Sequence, residues 1–251
     1  MTSLEPSSLA QGLDIVKMAV EREKSGRPGF GVSRMADELK MERSRVSRLT
    51  QELCEIGLLE KFDGPLLRAG AGYFALANSL NRGWVRQARR ELRLLASLFH
   101  LSAQVSVRLD ERVVVLRSEK AFGAGGTSNE PGMVTPTWCT GAGRALLWDH
   151  THESIELLLR DVEFIGVGGP NAAHSVAELL ALMERDRPSG FVNAQGEFEH
   201  DVRELAMPVR DTGGAIVAAL SVVGLDSSFE RSTGEIGSAL LSSAQRLAEG
   251  L

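Results

Sequence analysis

Cysteine and histidine are scarce in this chain of 251 residues, which has two of the former and five of the latter. The cysteines, Cys54 and Cys139, lie far apart, which excludes a disulfide-rich or cysteine-ligated zinc framework and suits a reducing compartment. Among the histidines only His150 and His152 are close together, whereas a zinc site needs three or four converging ligands. We therefore predict no bound metal and no other cofactor.

Long apolar runs and a secretory leader are also missing. No apolar run reaches the roughly 18 residues that a membrane-spanning helix needs. The N-terminal MTSLEPSSLAQ lacks the basic and then apolar pattern of a signal sequence. We expect a cytoplasmic protein with no membrane partner. An apolar fraction of 43% and a length of 251 residues allow one large core or two modest ones.

Recognisable enzyme signatures are absent as well. The glycine-rich stretches 123–126 and 166–169 lack the spacing and the βαβ setting of a dinucleotide-binding fingerprint, and are interpreted as loops. Cys139 has no histidine partner at a meaningful spacing, and is interpreted as a small buried residue rather than a nucleophile. We predict that the protein is not an enzyme.

Basic residues are fewer than acidic residues overall, and many of them are concentrated in two segments. The net charge is −5, from 28 basic and 33 acidic residues, which excludes a nucleic-acid binder that is basic over its whole surface. Residues 43–48 contain three arginines and no acid, and residues 82–93 contain five arginines and one glutamate. Acidic residues dominate later, as at 197–201. The pattern permits a local DNA-binding face on an acidic body.

The segment 32–56 has the pattern of two helices joined by a turn at 40–42. Ser33 is expected to cap the first helix. Apolar residues of the second helix recur at spacings of three and four: Val46, Leu49, Leu53 and Ile56. The opposite face carries Ser44, Ser47, Arg48 and Gln51, flanked by Arg43 and Arg45. Arginine reads guanine edges, glutamine reads adenine and serine holds phosphates, so this face suits a DNA major groove.

The helix and the hairpin that the sequence predicts around this segment are those of a winged helix. A helix is expected before it, over about 8–24, and a hairpin with a loose tip follows over 58–73. The alternative is a small helical domain with a structural hairpin. Residues 74–98 are predicted to form a linker helix, or a packing helix with a solvated basic side.

From residue 103 onward the apolar period changes to two, which indicates strands with helices between them. We predict an α+β protein with three parts. A winged helix-turn-helix spans 1–73, a linker helix spans 74–98, and a mixed α/β effector-binding domain with a largely antiparallel sheet spans 99–251.

Three segments resemble the IclR (isocitrate lyase regulator) family of bacterial transcription factors. MADELKMERSRVSRLTQELCEIGLLEK is similar to the family's recognition-helix segment. PTWCTGAGRALLW is similar to its P-x-x-x-T-G/A-x-G-K-A-L-L stretch, with Arg144 in the usual lysine place. The most specific is SGFVNAQGEFEHDVRELAMPVRDTGGAIVAALSVVG, which is similar to the C-terminal signature in both spacing and residue types. The resemblance covers nearly the whole chain.

The resemblance implies a one-component regulator that acts as a dimer or a dimer of dimers on palindromic double-stranded operators. Together with the helix face described above, it implies these DNA contacts: Ser33, Arg43, Ser44, Arg45, Ser47, Arg48, Gln51, Lys61 and Arg68. It implies an effector cavity between the sheet and its covering loops, lined by Met133, Trp138, Thr140, Gly141, Ala142, Asn193, Glu204 and Ser221. The helix start at 140–142 would offer N–H groups to a ligand oxygen.

Two positions depart from the family pattern. Ala194 stands where members often have an acid, and Glu204 stands where they often have cysteine or a small residue. A carboxylate facing the cavity favours ligands with N–H or O–H donors and repels acids, unless it is protonated. In the alternative, Glu204 points outward to solvent. The expected effector is small and flat, and is neutral or amine-like at one end. The candidates are aromatic amides, hydrazides, phenols or acids.

These observations predict a ligand-responsive, DNA-binding transcriptional regulator of a small-molecule catabolic operon, with repression as the expected mode. Effector binding in the C-terminal domain is expected to alter operator binding. The alternative is a small-molecule-binding module or an enzyme whose winged helix serves protein contacts.

Overall fold

The computed structural model describes residues 7–27, 29–73, 83–121, 129–229 and 233–250. The chain divides into two compact units, Met1–Asn81 and Arg82–Leu251, and each has an apolar core of its own. Within the described ranges, no helix is both long enough and apolar enough to cross a membrane.

The described part of the first unit begins with three helices and a hairpin. They are α1 (Ser8–Lys24), α2 (Val32–Leu39), α3 (Arg43–Glu55), β1 (Leu59–Phe62) and β2 (Leu66–Ala69). Lys40 ends α2 with a left-handed backbone, φ 52°, and so turns the chain sharply into α3. The expected cap at Ser33 is wrong. Gly31 holds the extended N-cap backbone with no side-chain bond, so the helix begins one residue before Ser33.

The three helices and the hairpin share one core. Ile15, Met35 and Val46, one from each helix, are fully buried together, and Leu59 and Leu67 of the hairpin pack against them. Burial of each such side chain stabilises the unit by about 1.5–3 kcal/mol. The order of helix, helix-turn-helix and hairpin is that of the predicted winged helix.

The described part of the second unit combines five further helices with a six-stranded sheet. The helices are α4 (Gly83–Phe99), α5 (Gly141–Leu146), α6 (His152–Leu158), α7 (Val176–Asp186) and, last in the chain, α8 (Thr233–Ala248). The strands are β3 (Ser102–Leu109), β4 (Arg112–Lys120), β5 (Val134–Pro136), β6 (Val192–Gln195), β7 (Val202–Arg210) and β8 (Ile216–Leu225).

The sheet has the strand order β5-β4-β3-β8-β7-β6, and its neighbouring strands pair antiparallel. Helices α4 and α8 cover one face, where they bury the core around Leu205 and Leu220. Helix α5 covers the other face, where Ala142 and Ala145 pack with small residues of β7 and β8, such as Ala206. The small side chains let α5 approach the sheet closely. The α+β class and the antiparallel sheet are confirmed.

The segment predicted as a linker is only partly within the described residues, since 74–82 lie outside them. The remainder belongs to α4, whose Leu92 and Leu95 are buried in the core of the second unit. Its arginines stay on the exposed side, and two of them, Arg89 and Arg93, pair with Glu119 of β4 at 3.3 and 3.1 Å. This part of the segment is therefore a packed element of the second unit.

Candidate functional site

Helix α3 has one buried and one exposed face. The buried side chains are Val46, Leu49, Thr50 and Leu53. The predicted apolar residue Ile56 follows the helix and is exposed. The exposed side chains include Arg43, Ser44, Ser47, Arg48 and Gln51, together with the glutamates Glu52 and Glu55. Arg48 pairs with Glu52 at 3.8 Å and Gln51 donates to Glu55 at 3.2 Å. Solvent-exposed pairs of this kind contribute little free energy. The side chains of Arg48 and Gln51 can therefore leave their glutamate partners and contact a nucleic acid.

Arg45 differs from its neighbours on α3. Its side chain is half-buried, and Nη2 donates to the hydroxyl of Ser8 in α1 at 3.5 Å. Arg45, one of the predicted DNA contacts, therefore also contacts α1, at the limit of hydrogen-bond distance. Ser33 is exposed in the first turn of α2.

The two wing residues lie on opposite faces of the hairpin. Lys61 is exposed and is paired across the ladder with Leu67. Arg68 is half-buried, forms an ion pair with Glu60 at 2.6 Å, and stacks over the ring of Phe62 at 4.5 Å from its centroid. Lys61 takes part in none of the ion pairs found between described residues, whereas the charge of Arg68 is matched by Glu60.

A small cavity lies in the second unit, between the start of α5 and the strands β6, β7 and β8. Its volume is about 20 Å³, which holds about one water molecule. The lining residues are Asn129, Cys139, Thr140, Gly141, Ala194, Phe198, Val202, Glu204 and Val223. Three of the predicted effector-binding residues therefore come together here: Thr140, Gly141 and Glu204.

Glu204 is buried and points into this cavity, so the alternative in which it faces solvent is excluded. Its Oε2 accepts the backbone N–H of Gly141 at 2.6 Å, and its Oε1 accepts an amide N–H of Gln104 at 3.1 Å. Burial raises the pKa of the Glu204 carboxyl, while the Ser221 hydroxyl and the Ala142 N–H stabilise its ionised form.

These contacts correct one expectation about the start of α5. Its N–H groups were expected to be available to a ligand oxygen. Instead, the N–H groups of Gly141 and Ala142 are directed to Glu204, and that of Gly143 donates to the Thr140 hydroxyl at 3.1 Å. The protein's own side chains therefore occupy the donors of this helix start.

The other predicted effector contacts are spread more widely. Ser221 is buried on the α5 face of the sheet, and Ala142 packs in the apolar cluster under α5. Trp138 packs against Phe164, with 5.1 Å between the ring centroids, in the cluster around α6 and α7. Neither Trp138 nor the half-buried Met133 lines the cavity.

Asn193 lies on the opposite side of the sheet from Glu204. It is paired with Leu205, whereas the next residue of β6, Ala194, is paired with Glu204. Because successive side chains of a strand alternate between the two faces, Asn193 and Glu204 cannot line the same cavity. The backbone N–H of Asn193 donates instead to Asp186 at 3.3 Å.

Sequence reasoning missed the residues that hold this region in place. Gln104 alternates with apolar residues in β3, which was the available signal, but its partner Glu204 is 100 residues away. Arg144 is fully buried, and pairs with Glu197 at 2.5 Å and with Asp186 at 2.9 Å. Glu197 belongs to an acidic stretch of the sequence, yet it is 1% exposed.

Cys139 has the inert environment that was predicted for it. The side chain is fully buried, and burial together with the nearby Glu197 and Glu204 raises the pKa of its thiol to about 12. A thiol with this pKa is protonated at neutral pH and is a poor nucleophile. Within the described ranges, no three His, Cys, Asp or Glu side chains are grouped to hold a metal ion.

A larger, open cleft of about 540 Å³ lies elsewhere on the second unit. Its walls are Val107, Arg108, Leu146, Asp149, His150, Thr151, Ser154, Ala215, Ile216 and Val217. Asp149 is neutralised by a two-bond ion pair with Arg210. Burial and the charge of Arg108 lower the pKa of His150. The cleft therefore has a cationic wall at Arg108, in contrast to the acidic cavity at Glu204.

Comparison with known proteins gives a consistent result. Residues 80–249 match the family model described as "Bacterial transcriptional regulator IclR C-terminal". The HTH-type transcriptional regulator KdgR of Escherichia coli (strain K12) is 25% identical over 229 residues, which cover 87% of this chain and 83% of the relative. The Pca regulon regulatory protein of Pseudomonas putida is 22% identical over 225 residues, covering 86% and 73%.

Solved structures share the fold. An IclR transcriptional regulator from Alicyclobacillus acidocaldarius has a TM-score of 0.82 at 20% identity, covering 98% of this chain and 99% of that one. An IclR homolog from Microbacterium hydrocarbonoxydans, solved in complex with 4-hydroxybenzoate, has a TM-score of 0.81 at 21% identity, with the same coverage.

Proposed function

The chain belongs to the IclR family of bacterial transcriptional regulators, and we propose that it binds its operator through α3 and senses a small effector beside Glu204. The observation that carries the DNA-binding part is the exposed face of α3. Five of its side chains, namely Arg43, Ser44, Ser47, Arg48 and Gln51, are exposed and can donate hydrogen bonds to phosphates or base edges.

The operator is proposed to be palindromic double-stranded DNA, bound by a dimer or a dimer of dimers. Two recognition helices related by a two-fold axis read half-sites about 34 Å apart, or a multiple of that distance. Lys61 on the wing adds a phosphate contact. Arg45 is assigned to holding α3 rather than to the DNA, because it is bonded to Ser8.

The effector is proposed to bind in the cavity beside Glu204, and to be drawn from flat aromatic amides, hydrazides, phenols or acids. The relative with 4-hydroxybenzoate in its crystal structure supports a small aromatic molecule for this fold. At about 20 Å³ the cavity is too small for such a molecule, so binding must open it. Effector binding then favours one arrangement of the subunits, and this population shift changes operator affinity.

Repression of a small-molecule catabolic operon is the proposed mode, with the effector releasing the protein from DNA. A catabolic operon of this kind needs to be silent until its substrate arrives. The relative named as a regulator of the Pca regulon supports a role beside catabolic genes.

A gel shift with the DNA upstream of its own gene tests the proposal. Binding should be specific, should weaken with rising salt as counterion release requires, and should exceed binding to a scrambled duplex. Arg48→Ala should weaken it, whereas Arg160→Ala, an exposed arginine in the second unit, should leave it unchanged. No specific complex at low salt would favour the alternative, in which the winged helix serves protein contacts.

A further inference from the structure

The open cleft lies where two neighbouring strands of the sheet separate. Pairing between β3 and β8 stops at Ser106 and Ala219. Nevertheless, β3 continues to pair with β4 as far as Leu109, and β8 pairs with β7 from Ile216 onward. The cleft therefore opens between two hairpins, and the connection between α5 and α6 contributes a further wall.

A β-bulge in each hairpin accounts for the separation. Strand β4 has one extra residue, Leu116, in its pairing with β3, and β8 has one extra residue, Val217, in its pairing with β7. A bulge bends its strand and increases the local twist, and natural sheets place bulges at their rims and beside functional sites. Val217 itself lines the cleft. The paired strands of the sheet therefore fix the shape of two of its walls.

Positive charge predominates among the side chains that line the cleft. Arg108 donates from Nη1 to the backbone oxygen of Asp110 at 3.0 Å, and takes part in none of the ion pairs found between described residues. Asp149, the acid of the lining, forms a two-bond ion pair with Arg210, and hydrogen bonding to Arg210 lowers its pKa. The charge of Asp149 is therefore neutralised by Arg210, whereas that of Arg108 has no acidic partner in the described part of the chain.

His150 and Thr151 add hydrogen-bond donors to the cleft. Burial and the charge of Arg108 lower the pKa of the half-buried His150, while the charge of Asp149 acts in the opposite direction. The imidazole is therefore neutral at pH 7 and has one donating nitrogen. The hydroxyl oxygen of Thr151 accepts the N–H of Ser154 at 3.2 Å, so its own O–H is left for a ligand.

Apolar side chains complete the lining. Val107, Leu146 and Ile216 border the cleft beside these polar groups. The volume of about 540 Å³ lies within the range of about 300–1,000 Å³ that is usual for sites of small molecules. The cleft therefore suits a molecule that combines an anionic end with an apolar body.

We propose that the open cleft is a second ligand site of this protein, and that it binds a small carboxylate with an apolar body, such as an aromatic acid. The two carboxylate oxygens match the planar fork of the Arg108 guanidinium. His150 and Thr151 donate to the same carboxylate. The apolar body packs against Leu146 and Ile216.

This site is separate from the cavity beside Glu204. Gly141, at the start of α5, lines the cavity, whereas Leu146, at the end of the same helix, lines the cleft. No described residue belongs to both linings. The inference goes beyond the proposed function, because it requires neither operator binding nor an effector beside Glu204.

Isothermal titration calorimetry on the full-length protein, at pH 7 and constant ionic strength, tests the proposal with benzoate, benzamide and acetate. Benzamide keeps the shape of benzoate without its charge, and acetate keeps the charge without the ring. Benzoate should bind at least 10-fold more tightly than either. Equal or tighter binding of benzamide or acetate, or no benzoate binding at millimolar concentration, would overturn the proposal.

Variants locate the binding site. Arg108 is exposed, so Arg108→Gln should fold normally and weaken benzoate binding at least 10-fold. Ala215→Phe, which keeps the charge and fills part of the cleft, should weaken it as well. Arg160→Gln, at an exposed arginine outside the lining, is the matched control and should leave the affinity within threefold. Benzoate binding that both cleft variants leave intact and Glu204→Gln abolishes would contradict the assignment.

Sedimentation velocity distinguishes a ligand site from a contact between copies of the chain. Arg108→Gln should leave the sedimentation coefficient unchanged. A change in this coefficient without any loss of benzoate binding would assign the cleft to subunit contacts and remove the ligand. The gel shift is a separate test, because a benzoate bound in the cleft makes no use of α3.

Discussion

The backbone nitrogen of Gly141 lies 2.6 Å from Oε2 of Glu204, and this close contact leaves no room for a side chain at position 141. A Cβ at position 141 would lie 2.9 Å from Cγ and 3.0 Å from Cδ of Glu204. Gly141→Ala should therefore displace the buried carboxyl and lower the free energy of unfolding by about 1–3 kcal/mol, as overpacking does. Urea unfolding of the full chain measures the change.

A double-mutant cycle tests whether this cost comes from Glu204. In a Glu204→Ala background the added methyl has room, so most of the cost of Gly141→Ala should disappear. Gly12→Ala is the control, because a Cβ there meets nothing within 4 Å in the middle of α1, and it should be neutral or stabilising. An equal cost of Gly141→Ala in both backgrounds would contradict the steric account.

Arg48 and Arg45 should respond differently to replacement by alanine. Arg48→Ala removes an exposed side chain from α3, so specific operator binding should weaken by about 1–3 kcal/mol with thermal stability unchanged. Arg45→Ala removes the contact with Ser8, so it should lower the melting temperature. Gel shifts and thermal unfolding of both variants separate the two roles, and unchanged operator affinity in Arg48→Ala removes Arg48 from the interface.

The stability of the second unit should depend on pH through Glu204. Burial raises the pKa of the Glu204 carboxyl in the folded protein above its value of about 4.3 in the unfolded chain. The contribution of Glu204 to stability is therefore complete at pH values below the unfolded pKa. It is lost as the pH rises through the folded pKa. The free energy of unfolding relative to Glu204→Gln should therefore fall as pH rises above about 4.

Chemical unfolding of wild type and Glu204→Gln between pH 4 and pH 8 measures this difference. The groups that face the carboxyl are Gln104, Ser221 and the N–H groups of Gly141 and Ala142, with the Cys139 thiol nearby. None of the side chains among them ionises in this range. Glu197, whose pKa burial also raises, is present in both proteins and cancels in the comparison. Parallel curves for the two proteins would show that Glu204 is not the titrating group.

Arg144 should be far more costly to remove than an exposed arginine. Arg144→Met leaves Glu197 and Asp186 buried without their main cation, and breaking a buried ion pair in this way costs about 3–5 kcal/mol. The half-exposed Arg185, at 2.9 Å from Asp186 and 3.5 Å from Glu197, offsets part of this loss. Arg160→Met is the exposed control and should change the free energy of unfolding by less than about 0.5 kcal/mol.

Cys139 should resist alkylation in the folded protein. Its thiol is buried and has a pKa of about 12, so iodoacetamide at pH 8 should leave it unmodified while the unfolded chain reacts fully. Peptide mass spectrometry distinguishes it from Cys54, which is half-buried. Rapid modification of Cys139 under native conditions would show that the cavity opens readily without a ligand.

Local patterns in the sequence are sufficient to predict α3 and its buried face. Its buried stripe of Val46, Leu49 and Leu53 follows from the 3.6-residue period, which depends only on neighbours along the chain. The cap of α2 was mispredicted because the backbone angles of Gly31, and not the preference of Ser33 for caps, decide where the helix starts.

The effector cavity could be predicted only in part. Resemblance to a family indicated Thr140, Gly141 and Glu204, but not the direction of the Glu204 side chain. That direction depends on a residue 63 positions before it, Gly141, and one 100 positions before it, Gln104. Contacts between residues that are far apart in the sequence produce no periodic pattern from which they could be predicted. The same holds for Arg144 and Glu197, which are 53 residues apart and meet only in the folded chain.

The strand order of the sheet also bears on how copies of the chain can associate. The two outermost strands are the shortest, with three residues in β5 and four in β6, whereas the inner strands have eight to ten. Each border strand covers only part of its inner neighbour, since β5 pairs with residues 112–114 of β4 and β6 pairs with residues 203–206 of β7. Short border strands are one of the features by which natural sheets limit edge-to-edge addition, the usual route to aggregation of sheet proteins.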